Sequence, residues 1–68
     1  MRIKTYYILV MIDKVTKEVQ TELHTTQSQA KERAMEIMGY MGPWRAFKKA
    51  MDSSPSMILS IQTISINL

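Results

Sequence analysis

The sequence predicts a small α+β domain with the element order β-β-α-α-β, and three observations support this. Tyr6–Ile12 is an unbroken run of aromatic, aliphatic and β-branched residues, and Val19–His24 alternates apolar with polar residues, as strands do. The middle of the chain has apolar residues at helical spacing, interrupted by Gly39 and Gly42–Pro43. Ser56–Leu68 is again rich in isoleucine. A chain of 68 residues has room for one domain, residues 1–68.

The first two strands, at about residues 5–13 and 18–25, are predicted to form a hairpin whose register follows from the turn. If Asp13 lies opposite Glu18, one side of the pair is apolar or threonine throughout. A slip by one residue would place glutamine or glutamate on that side. We therefore expect this side to face the core, and Lys17, the last loop residue, to have a positive φ. The members of the side are Tyr6, Ile8, Val10, Ile12, Val19, Thr21, Leu23 and Thr25.

The opposite side of strand 1 carries Tyr7, Leu9 and Met11, which this register directs away from the core. Either strand 1 is central with both faces covered, or this side meets a partner. We predict a three-stranded sheet with strand 1 in the middle and both helices on one face.

The final strand, at about residues 57–68, changes its apolar phase near Thr63. Its apolar residues are first Met57, Leu59 and Ile61, and then Ile64, Ile66 and Leu68. Such a change indicates either a β-bulge or a strand whose two halves serve different surfaces.

The two helices are predicted at about residues 27–40 and 43–51. Thr26 with Gln29 fits a capping box at the start of the long helix, and Ser28 is an alternative cap. Pro43 suits the first turn of the short helix.

The composition argues against catalysis and against a bound cofactor. Cysteine is absent, which favours the reducing cytoplasm over secretion for a chain of this size. His24 is the only histidine, and no serine is spaced to form a catalytic pair with it. Glu32 and Glu36 lack the further ligands that a metal site needs, and no glycine-rich phosphate loop is present. The longest apolar run is far shorter than the ~20 residues of a membrane-spanning helix. We therefore expect no enzyme, metal, cofactor, small-molecule substrate or membrane segment.

The short helix has the densest basic cluster of a chain with net charge +3. Trp44, Arg45, Lys48 and Lys49 form this basic cluster, which suits phosphates and a stacked base. The preceding Gly39-Tyr40-Met41-Gly42 loop resembles the G-x-x-G loop of K-homology RNA-binding modules, which implies backbone contacts to nucleic acid. That family usually has a basic residue where Tyr40 and Met41 stand, and the chain is not assigned to it.

The leading functional prediction is a small cytoplasmic protein-interaction module that acts as an adaptor, inhibitor or regulator of a larger protein. A core this small favours homodimer formation. The residues expected to mediate self-association are Tyr7, Leu9, Met11, Ile64, Ile66 and Leu68. The alternative is a nucleic-acid-binding protein that uses the basic cluster and the Gly39–Gly42 loop.

Overall fold

The computed structural model describes residues 2–68, and Met1 lies outside the described residues. The elements are β1 (Ile3–Asp13), β2 (Val19–His24), α1 (Gln27–Met38), α2 (Trp44–Asp52) and β3 (Met57–Asn67). The strands form one antiparallel sheet in the order β2-β1-β3, and both helices pack on one side of it. The predicted α+β class, the element order and the central position of strand 1 are confirmed.

The hairpin has the predicted register, in which Ile12 lies opposite Val19. Asp13 organises the turn, because its Oδ1 accepts hydrogen bonds from the backbone N–H groups of Val15 at 2.8 Å and Thr16 at 3.1 Å. The chain reverses through Lys17, whose φ is +67°, as predicted. Local turn chemistry therefore determines which residues of β1 and β2 face each other.

Each helix begins or ends at a residue suited to that position. The Thr26 hydroxyl caps α1 by accepting a hydrogen bond from the backbone N–H of Gln29 at 3.2 Å. Gly39 ends α1 in the left-handed region, with φ +67°. Pro43 is the residue before α2, so the prediction that it lies within the first turn is wrong by one position.

The core lies between the helices and the odd-numbered side of β1 and β3. Leu9 is 0% exposed and Met11 is 3% exposed. The other members of the core cluster are Ala34, Phe47, Met51 and Leu59. The expectation that the side of Tyr6 and Ile8 faces the core is therefore wrong. The alternation in β2 alone does not determine the covered side, because β1 and β3 carry apolar residues on both sides.

The register between β1 and β3 is continuous from Ile3 opposite Asn67 to Asp13 opposite Met57. The phase change near Thr63 is therefore not a bulge. It marks a strand whose two halves serve different surfaces, since Leu59 lies on the helix-covered side and Ile64 on the opposite side.

Burial predicts different costs for the same leucine truncation on the two sides of the sheet. We expect Leu9→Ala to lower the free energy of unfolding by about 2–5 kcal/mol, because it leaves a cavity in the core. Leu23→Ala, the matched control, truncates a side chain that is 62% exposed and is expected to cost less than about 1 kcal/mol. Urea unfolding at submicromolar protein concentration measures both values. Equal costs would contradict the assignment of the covered side.

Candidate interaction surface

The side of the sheet opposite the helices is uncovered by any element of residues 2–68. We call this side the open face. Its residues are Lys4, Tyr6, Ile8, Val10, Ile12, Val19, Thr21, Leu23, Ile58, Ser60, Gln62, Ile64 and Ile66. Val19 is 59% exposed, and Ile58, Ile64 and Ile66 are each more than 40% exposed. Soluble monomers rarely expose a contiguous apolar patch of this extent, so the open face is a candidate interaction surface.

Charge is nearly absent from the open face. Along the three strands, Lys4 is the only charged residue on this side, and it lies at one end. The Lys4 Nζ lies 5.4 Å from the centroid of the Tyr6 ring, so the cation stacks on the rim of the surface. The middle of the open face therefore has apolar side chains and the neutral groups of Thr21, Ser60 and Gln62.

The residues predicted to mediate self-association do not form one surface. Leu9 and Met11 are buried beneath the helices, and Tyr7 is half-buried on the same side. The prediction that these three residues lie on an exposed face is therefore wrong, because the opposite side of the sheet was taken for the core. Ile64 and Ile66 do belong to the open face, and Leu68 is 70% exposed just beyond it.

Sequence reasoning placed the apolar residues of β2 correctly on one side of the hairpin but took that side for the core. The half-buried Ile8 and Val10 and the exposed Leu23 were therefore missed as residues of the open face. The signal that could have identified them is their alternation in phase with Val19. That alternation predicts a continuous apolar side of the sheet, whether or not a helix covers it.

The outer edge of β3 is a second candidate surface. β3 pairs with β1 on one side, and no backbone group of residues 2–68 pairs with its other edge. β2 is the other edge strand and is shorter, with 6 residues against the 11 of β3. The sheet therefore ends on one side in a long strand with free backbone groups.

The basic cluster is less available than its sequence predicts. The Lys48 Nζ lies 2.6 Å from Asp52 Oδ1, so its charge is paired within α2. The Trp44 ring packs 5.5 Å from the Phe47 ring, and the Lys31 Nζ lies 5.5 Å from the Trp44 centroid. Arg45 and Lys49 remain exposed.

Both glycines of the Gly39–Gly42 loop have structural reasons to be glycine. Gly39 occupies the left-handed region at the end of α1. A Cβ at Gly42 would lie 2.9 Å from the Tyr40 ring, which itself packs 5.2 Å from the Phe47 ring. The spacing of the two glycines therefore follows from helix termination and aromatic packing.

A polar link joins α1 to the covered side of β2. The Arg33 Nε donates to Glu22 Oε1 at 3.0 Å, and the Arg33 Nη1 donates to Glu36 Oε1 at 2.8 Å. The hydrogen bond from Arg33 holds the pKa of Glu22 below its usual value, with His24 Nε2 at 3.1 Å adding to the effect. The same bond raises the pKa of Arg33. The charged residue of β2 is thus matched by the helix that covers it.

This link predicts an acid-dependent loss of stability. Because the Glu22 pKa is lower in the folded state, its contribution is present above the unfolded value of about 4.3 and is lost as the pH falls through the folded value. We expect both Glu22→Gln and Arg33→Gln to flatten the fall of the urea midpoint between about pH 5 and pH 3. An Arg33→Gln profile as steep as that of the wild type would contradict the link.

No protein-family model matches the chain, and no curated protein or solved structure matches it either. Within residues 2–68, no group of three histidine or acidic side chains is arranged to hold a metal ion, and the described surface has no cavity. None of the described helices is long and apolar enough to cross a membrane. The open face and the edge of β3 are therefore the candidate functional surfaces of the described residues.

Proposed function

We propose that this chain is a small, non-enzymatic protein-interaction module that acts as a homodimer, with the open face of each copy packed on that of the other. The observation that carries the proposal is the open face itself, which is apolar and has a charged residue only at its end. An exposed apolar surface of this size marks a binding site for protein.

Charge favours a second copy as the occupant. The chain has a net charge of +3, so two copies repel unless their cations are kept apart. The open face is neutral through its middle, and the basic residues of α1 and α2 lie in the opposite layer. Two open faces in contact therefore bring no like charges together at their centre.

The area of the open face is close to what a specific dimer interface needs. Two strands of 11 residues and one of 6, at about 3.3 Å per residue and spaced by about 4.8 Å, give a face of roughly 440 Å² in projection. Two such faces bury on the order of 900 Å² in total, close to the ~1,000 Å² of a specific interface. In this arrangement the two sheets pack face to face about 10 Å apart, and the helices form the outer layers.

The proposed dimer would act on a larger protein as an adaptor, inhibitor or regulator. This part of the proposal rests on the small size of the chain, since a single domain with few reactive residues binds more readily than it catalyses. The absence of cysteine supports the cytoplasm as its compartment.

Nucleic-acid binding is the second candidate, and the exposure of Arg45 and Lys49 favours it. The pairing of Lys48 with Asp52 and the packing of Trp44 reduce the support for it. If nucleic acid is the ligand, we expect alanine at Arg45, Lys48 and Lys49 to weaken binding of single-stranded RNA and to reduce its salt dependence. Fluorescence anisotropy across a salt series measures both. Unchanged binding would exclude the basic cluster as the site.

The open-face dimer predicts a specific pattern of masses in sedimentation equilibrium at micromolar concentration. The wild type is expected above the monomer mass, and Leu23→Lys is expected to lower that mass. Leu23 is 62% exposed, so lysine is tolerated in the free chain but buries a charge in the dimer. A loss of even about 1.4 kcal/mol of binding free energy raises the dissociation constant of the dimer about tenfold.

Val15→Lys is the matched control, because it adds the same charge at a turn residue that is 77% exposed and lies outside the open face. Ile8→Lys, at the centre of the open face, is expected to act as Leu23→Lys does. Circular dichroism checks that each variant is folded. A wild-type monomer, or a mass that neither open-face variant changes, would refute the proposed dimer.

A further inference from the structure

The edge strand β3 has none of the features that normally protect a sheet edge. Exposed edges are usually short, or contain charged residues, proline or a bulge. β3 has 11 residues in continuous register with β1, and no charged side chain, glycine or proline occurs between Ser56 and Leu68. An edge of this kind is competent to pair with another strand.

The ends of the ladder identify which backbone groups of β3 are free. Leu68 N–H donates to the Arg2 carbonyl at 2.7 Å, and Lys14 N–H donates to the Ser56 carbonyl at 2.8 Å. In an antiparallel pair, hydrogen-bonded residue pairs alternate with pairs that are not bonded to each other. Even-numbered residues of β3 therefore bond to β1, and odd-numbered residues direct their backbone groups outward. The outward residues are Met57, Leu59, Ile61, Thr63, Ser65 and Asn67. Of these, Met57 already donates its N–H to Ser54 Oγ at 3.2 Å, so the free donors begin at Leu59.

We propose that the free edge of β3 pairs antiparallel with β3 of a second copy, around a two-fold axis at Gln62. Gln62 is the midpoint of Met57–Asn67, so this register pairs the whole strand. It places Met57 opposite Asn67, Leu59 opposite Ser65, and Ile61 opposite Thr63 of the other copy. Each of these pairs joins two outward residues, and in the pairs from Leu59 to Ser65 both partners have their donors and acceptors in the correct phase.

The shape of the chain favours a second copy over an unrelated strand. The molecule measures 43 × 27 × 16 Å, and the 11 residues of β1 and of β3, at about 3.3 Å per residue, span most of the longest dimension. The helices cover Met57, Leu59 and Ile61, whereas the other half of the covered side, with Thr63 and Ser65, is exposed and polar. Antiparallel pairing at Gln62 places the exposed half of each strand beside the helix-covered half of the other. Because the axis is two-fold, the exposed half of β3 in each copy is covered in the same way.

This contact uses the edge of the sheet and does not rest on the proposed open-face dimer. The two contacts are compatible, because the axis at Gln62 leaves both open faces on the same side of a six-stranded sheet. Two such sheets packed through their open faces form a closed assembly of four chains, and tetramers of this symmetry are common. We therefore expect the wild type to reach the tetramer mass.

The first test removes one outward N–H group. Thr63→Pro deletes a donor that points away from β1, and proline is tolerated at edge strands. Thr63→Ala is the control, because it changes the side chain and keeps the donor. We expect Thr63→Pro to halve the wild-type mass in sedimentation equilibrium and Thr63→Ala to leave it unchanged. A Thr63→Pro protein that is folded by circular dichroism and keeps the wild-type mass would overturn the edge pairing.

The second test examines the position of the axis. Gln62 also lies on the open face, so the test is made in the Leu23→Lys background, where the open-face contact is removed. Gln62→Lys and Gln62→Glu each place like charges opposite each other in the paired edge, so each variant alone is expected to lose the contact. An equimolar mixture places lysine opposite glutamate and is expected to restore it. A mixture no heavier than the separate variants would overturn the axis at Gln62.

Amide hydrogen exchange reports directly on the outward backbone groups of β3. In the Leu23→Lys background, where the open-face contact is removed, the N–H groups of Leu59, Ile61, Thr63 and Ser65 are expected to exchange slowly. When Thr63→Pro is added, position 63 has no N–H, and the N–H groups of Leu59, Ile61 and Ser65 are expected to exchange fast, while even-numbered residues of β3 stay protected by β1. Fast exchange at the outward residues in both proteins would overturn the pairing. Loss of mass with Leu23→Lys tests the open face separately, so failure of either contact is recognised by itself.

Discussion

β2 and β3 run parallel to each other on either side of β1, and the two helices that connect them cross one side of the sheet. Crossover connections between parallel strands are right-handed in about 98% of cases. With L-residues, the pairing of Asp13 with Glu18 directs the backbone groups of odd-numbered β1 residues toward β2. A right-handed crossover then places the helices over the side chains of those same residues. Handedness therefore buries Leu9 and Met11 and leaves Ile8 and Val10 uncovered.

Much of this fold is predictable from local features of the sequence. The Asp13 turn determines the register, the cap at Thr26 begins α1, and the apolar run of β1 predicts a central strand. The covered side was not predictable from hydrophobicity, because β1 is apolar on both sides and alternation in β2 indicates a side without indicating what covers it. Chirality contained the missing information. For the change of phase in β3 the sequence left two explanations, a β-bulge or a strand that serves two surfaces. The continuous register with β1 excludes the bulge.

The covered side of β2 is the polar side, which is unusual for a sheet that packs against a helix. Glu22 faces α1 and is satisfied by Arg33, while Val19 and Leu23 point to the open face and are more than half exposed. An isolated chain would gain from the opposite arrangement, with the aliphatic residues inside and the carboxylate in water. The sequence of β2 is consistent with a chain in which both sides of the sheet are covered, one by its own helices and the other by a partner.

In β3, too, the two sides of the strand change character at the end of the helical layer. Beyond Ile61 the helix side becomes Thr63, Ser65 and Asn67, which suits exposure to water or backbone pairing beside another chain. The open side becomes more apolar at the same point, with Ile64 and Ile66. If this part of β3 contacted only water, polar residues would be expected on both of its sides. A free strand edge of this length also makes a monomer prone to aggregation. A closed symmetric assembly satisfies the edge and the apolar side together, because the β3 edge of each copy is paired with that of another and no further strand can add there.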